Sequence, residues 1–133
     1  MSKLEAMRER FAAARADLKA NSQEAVKEWL EGWLSRNPKV LAVRWTQYTP
    51  WFNDGDPCVF GVNEPEFKIE GVCEDEFEYA YSLKKNEGAE GIRELSDKIQ
   101  DDDLREVMLA AFDDHVEVVV TRGSIVTSVY QHD

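Results

Sequence analysis

A chain of 133 residues, 43% of them hydrophobic and including four tryptophans, is long enough for one domain with one core. The formal charge of −11 argues against binding to phosphate backbones or anionic lipid, which would repel it. No apolar run approaches the roughly eighteen residues of a membrane span, and the opening MSKLEAMRER lacks an apolar signal core.

Residues 3–20 predict a helix, because Leu4, Met7, Phe11, Ala14 and Leu18 recur at three-four spacing. Asn21 followed by Glu24 has the form of a capping box and predicts a second helix from about Ser22. That helix would present Val26, Trp29, Leu30, Trp33 and Leu34 on one face and stop at Asn37-Pro38, since a proline disfavours helix before it. Residues 1–37 are therefore expected as a helical hairpin. The seam of the first helix has coiled-coil-like spacing but is short, so packing within the chain is expected, with a monomer or a homodimer both open.

Residues 38–82 predict meander strands. Leu41, Val43 and Trp45 alternate with Ala42, Arg44 and Thr46, giving one apolar face. Cys58, Phe60 and Val62 resume the alternation after a loop, followed by Phe67 with Ile69 and then Phe77, Tyr79 and Tyr81. Outward acids on the last of these strands suit an exposed edge. Residues 87–113 predict two helices, the first marked by Ile92, Leu95 and Ile99, the second by Leu104, Val107, Met108, Ala111 and Phe112. Asp101-Asp102-Asp103 favours the positive end of that second helix. Residues 114–131 predict a β-hairpin turning at Arg122-Gly123, with Val116, Val118 and Val120 facing the core beside Ile125, Thr127 and Val129. The order ααββββααββ predicts an α+β domain with an antiparallel β-sheet of four to six strands, an N-terminal helical hairpin and two further helices.

Charge is unevenly placed. Glu64–Glu78 holds seven acids and Lys68 alone among bases, while Asp101–Glu117 holds seven against Arg105, so each block nets −6. The first twenty residues instead carry five bases and three acids. Acidic blocks serve solubility in most proteins, but they also attract basic protein surfaces.

The connection Gln47–Phe60, QYTPWFNDGDPCVF, is longer than a hairpin needs. It places large rings beside polar groups, the composition of a recognition loop on a rigid scaffold. Arg44, Trp45, Gln47, Tyr48, Trp51, Phe52, Asn53, Asp54, Asp56 and Arg122 are the candidate ligand- or partner-binding residues. Rings would stack on a base or fill a partner's pocket, and the two arginines would hold an anion through paired hydrogen bonds. The bland alternative is that the rings fold back onto the core.

Chemistry has weaker signals. Asn53-Asp54-Gly55-Asp56 resembles a fragment of a calcium loop, but Gly61 and Val62 stand where the terminal Glu is required, so a turn is expected. Cys58 and Cys73 are expected as buried thiols in a reducing cytoplasm, and Cys58 as a core thiol rather than a nucleophile for His115. Neither histidine has metal-ligand spacing, and no phosphate loop, dinucleotide fingerprint or nucleophile elbow occurs. No catalytic residue, metal or cofactor is expected.

The stretch Gln47-Tyr48-Thr49-Pro50-Trp51-Phe52-Asn53-Asp54-Gly55-Asp56-Pro57-Cys58 and the tail from His115 to Asp133, ending Tyr130-Gln131-His132-Asp133, resemble small uncharacterised bacteriophage-encoded proteins. These 31 of the 133 residues carry the likeness. It implies a cytoplasmic viral product that inhibits a host protein or defence component by stoichiometric binding. An alternative of the same kind is a sponge for a cyclic or ADP-ribose-type nucleotide; one of a different class, not implied by the likeness, is a small hydrolase or nucleotide-modifying enzyme.

Overall fold

A computed structural model describes residues 2–51, 55, 57–83 and 89–131. Three α-helices, α1 (Lys3–Arg36), α2 (Ala89–Ile99) and α3 (Arg105–Phe112), accompany six strands. The strands are β1 (Val40–Tyr48), β2 (Gly61–Val62), β3 (Glu66–Ile69), β4 (Cys73–Tyr79), β5 (Val116–Thr121) and β6 (Ser124–Val129). They form one antiparallel sheet in the order β4-β3-β1-β5-β6, with β2 paired to the end of β1. The α+β expectation holds, and the two edges are β4 and β6.

The predicted helical hairpin is instead one continuous helix of 34 residues. Asn21 and Ser22 are mediocre helix formers, but each costs well under about 1 kcal/mol in a helix interior, and alanines and long side chains surround them. Ser22 is itself buried on the packed face. Ser2 caps the start through Glu5 N–H at 3.1 Å. The end is fixed by Pro38 and by Arg122 from the β5–β6 turn, whose guanidinium donates to the carbonyls of Leu34, Asn37 and Pro38.

The core lies between the sheet and the helices. Val26, Leu30, Trp33 and Leu34 of α1 meet Val43, Trp45, Phe67, Ile69, Val118 and Val120 of the sheet, with Ile92, Leu95, Ile99, Met108, Ala111 and Phe112 closing the layer. Trp33 tilts against Phe67 at 6.1 Å, and Trp45 sets its edge to Phe112 at 6.0 Å, favourable geometries for aromatic pairs.

Three local expectations are corrected. Leu41 is only half-buried, because a register shift between Val40 and Ala42 turns Val40 into the core beside Val43 in its place. Thr127 and Val129 share a face with Val118 and Val116, as their register requires, yet both are exposed because β6 is an edge beyond the helical cover. Cys58 is exposed and outside any strand, and Cys73 is half-buried. The chain pairs with β1 only from Gly61, opposite Tyr48, so residues 57–60 have no strand to join.

Among the described residues, the core holds one fully buried amide, Gln47. Its oxygen accepts from the Trp45 indole at 3.1 Å, and its nitrogen donates to the carbonyls of Met108 at 2.9 Å and Asp113 at 2.8 Å. Both N–H donors and the oxygen of the amide are engaged. Gln47→Leu keeps the volume but orphans an indole N–H and two carbonyls, and should lower stability by roughly 3 kcal/mol in urea unfolding.

Candidate functional site

The α3–β5 corner is the most strained backbone described. Asp113 has φ 71° and ψ 177°, and His115 has φ 56°. The first lies in a region that is almost restricted to glycine, at a cost of about 1–3 kcal/mol. Three bonds hold Asp113 there. Its N–H donates to Leu109 O at 2.9 Å, its carbonyl accepts from buried Gln47, and its carboxylate pairs with Lys19 at 2.7 Å.

The consequence is a presented pair, Asp114 and His115. Asp114 accepts from Thr49 N–H at 2.8 Å, from the Thr49 hydroxyl at 2.7 Å and from His115 N–H at 2.9 Å. Burial would raise its carboxyl, but the Thr49 and His115 hydrogen bonds and the nearby imidazole outweigh that and hold it below its ordinary 3.8. Asp114 therefore stays ionised and clamps the loop that follows β1. Immediately beyond the clamp, Trp51 stacks on His115 at 5.3 Å and 17°, with 72% of its surface exposed. Tyr48 stacks on Tyr130 at 5.5 Å. Trp51, His115, Val129, Tyr130 and Gln131 line an open cleft of about 320 Å³.

The sequence-predicted residues divide into four groups. Trp51 and Tyr48 lie at this corner. Trp45 and Gln47 are sealed in the core, where they support the corner from behind and meet no ligand. Arg44 lies on the uncovered sheet face, paired with Glu66 at 3.0 Å and set over the Phe77 ring at 4.2 Å. Arg122 terminates α1 at the far end of β5. Phe52, Asn53, Asp54 and Asp56 lie outside the described residues. The two arginines and the loop rings are thus not one anion site.

His115, Asp114, Thr49 and Tyr130 were not among the predicted site residues. Nothing in the sequence marks them except an Asp-Asp-His run directly before a valine-rich strand, which permits a tight reversal without requiring one. Among the described residues, no group of three or more His, Cys, Asp or Glu is arranged to hold a metal ion, and no helix is long and apolar enough to cross a membrane.

The chain matches no protein-family model, no curated protein and no solved structure.

Two measurements probe the corner. Asp113→Gly should stabilise by about 1 kcal/mol, because relief of strain exceeds the lost surface pair and the entropy of glycine. Asp113→Ala keeps the strain and should destabilise. A lowered carboxyl contributes its full stability above its unfolded value and loses it as pH falls through the folded one. The stability gap between wild type and Asp114→Asn should hence shrink as pH falls below about 4.

Proposed function

We propose that this chain is a non-enzymatic binding protein that acts stoichiometrically on a host protein or defence component, as the likeness to bacteriophage products implies. The observation that carries this reading is Trp51. A large ring left 72% exposed is unfavourable in isolation, yet it is braced by His115 and its loop is tied by Asp114 to Thr49. An exposed aromatic held in place before binding loses little entropy on binding, which is the character of an interface anchor.

Charge favours a basic partner. Exposed Glu74, Asp75 and Glu76 line the β4 edge, and the chain as a whole carries −11. Such a field steers a positively rimmed surface toward the anchor and does so less as salt rises.

A nucleotide sponge is the second reading, favoured by the cleft where Trp51, His115 and Tyr130 offer flat faces beside Gln131. Weighing against it, the ionised Asp114 stands at that corner, and Arg44 and Arg122 are engaged by Glu66 and by backbone carbonyls.

Affinity capture from bacterial lysate tests the leading reading. A partner should be retained at about 50 mM salt, be depleted by about 500 mM, and be absent with Trp51→Ala. That variant should lose under about 0.5 kcal/mol of stability, as an exposed substitution. Equal capture by wild type and Trp51→Ala overturns the reading. A nucleotide panel in thermal shift tests the sponge, since any ligand binding the folded state raises the melting temperature.

A further inference from the structure

The first nineteen residues of α1 leave the body. From Lys3 to Asn21 every residue is exposed except half-buried Ala6, and Leu4, Met7, Phe11 and Leu18 show 73, 44, 59 and 59% of their surfaces. Intramolecular packing of this seam, expected from sequence, does not occur among the described residues. The helix first packs at Ser22, so the arm projects about 28 Å at 1.5 Å per residue. A lone helix of that length is marginal in water.

We propose that the arm pairs with the arm of a second copy of this chain as an antiparallel two-helix coiled coil. Leu4, Phe11 and Leu18 form one line of seam positions, and Met7, Ala14 and Asn21 the other. In an antiparallel pair these lines face each other. The register that uses every seam residue sets Phe11 against the second copy's Ala14, Met7 against its Leu18 and Leu4 against its Asn21. Large side chains then meet small or slender ones in each central layer, as close packing requires.

The flanking charges select the same arrangement. On one side of the seam stand Lys3, Arg10, Asp17 and Glu24, none with an ion-pair partner among the described residues. In this register Lys3 faces the second copy's Glu24 and Arg10 faces its Asp17, each pair occurring twice by symmetry. Sliding the helices by a heptad either way sets Arg10 against Arg10 or Asp17 against Asp17. A parallel pair would set Lys3 against Arg8 and Arg10 against Arg15. Opposite charges at such flanks choose partner and orientation, and like charges oppose the alternatives.

The other flank carries Arg8 and Arg15. These share a helix stripe with Lys19, whose ammonium is bonded to Asp113 of the body. Both bodies therefore lie on this flank, at opposite ends of the ribbon. Here Arg8 faces the second copy's Arg15, a like-charge pair occurring twice, which the four opposite-charge contacts of the first flank outnumber. Fewer than three heptads, Leu4 to Asn21, hold the pair, so association is concentration-dependent.

Sedimentation equilibrium from about 1 to 300 μM, a range spanning weak dimers, tests the proposal. Wild type should pass from monomer to dimer. Phe11→Asp should weaken dimerisation at least about tenfold, with an unchanged unfolding midpoint at concentrations where wild type is a monomer, because residue 11 is exposed and lies before the first packed residue of α1. Arg10→Asp alone should weaken it similarly, and Arg10→Asp with Asp17→Arg should restore it, an outcome that a parallel pair or non-specific sticking does not produce. A monomer at every concentration, failure of the double exchange to rescue, or a trimer overturns the proposal. So does a monomer whose arm is instead protected by vesicles containing anionic lipid.

Discussion

One buried amide organises this molecule. Gln47 joins the central strand to the last turn of α3 and to the strained residue after it, while satisfying the indole of Trp45. A fully buried amide is tolerated only when all its partners are present. That requirement fixes α3 against β1 with little freedom, because one side chain must reach two carbonyls at once. The unusual backbone at Asp113 follows from this constraint, and the presentation of Asp114 and His115 follows from Asp113. The aromatic corner is thus not a loose loop feature. It is the surface end of a chain of contacts that begins in the core.

The two ends of the molecule differ in physical character. The corner is small, rigid and aromatic, and its parts come from the β1 exit, the α3–β5 turn and the residues after β6. The arm is long, amphipathic and mildly basic on an otherwise acidic chain. Among the described residues, the two meet at the root of the arm, where Lys19 bonds Asp113. A ribbon dimer would carry two such corners at opposite ends, a bivalent arrangement whose avidity exceeds that of either corner where a target offers two sites.

Much of the fold was legible because its periodicities are unambiguous. Ile92, Leu95 and Ile99 could only be one helical face, and the valine-rich hairpin around Arg122-Gly123 could hardly be anything else. The break at Asn21 was misjudged because local capping chemistry competes with continuation, and burial of Ser22 decides between them. The site was half legible. Trp51 announced itself by size and by the loop that carries it. Gln47 looked like a reader of ligands, since a polar residue at a strand end is usually wet, and only the approach of α3 makes it a core residue. Arg122 looked like an anion binder for a related reason. The carbonyls it serves belong to a helix end far away in sequence.

Placing β1 in the middle of the sheet has a consequence for how the chain acquires its shape. One flank of β1 is filled by β2 and β3, which follow it closely, but the other waits for β5, with Gln47 opposite Val116 and Ala42 opposite Thr121. During synthesis on the ribosome, the central strand therefore emerges long before its second neighbour. Until that neighbour arrives, an apolar edge lies open and α1 lacks Arg122 to end it. Contacts of such long range make folding slow and leave nascent chains prone to stick. The acids that crowd the segments between β1 and β5 add the net negative charge that opposes such sticking.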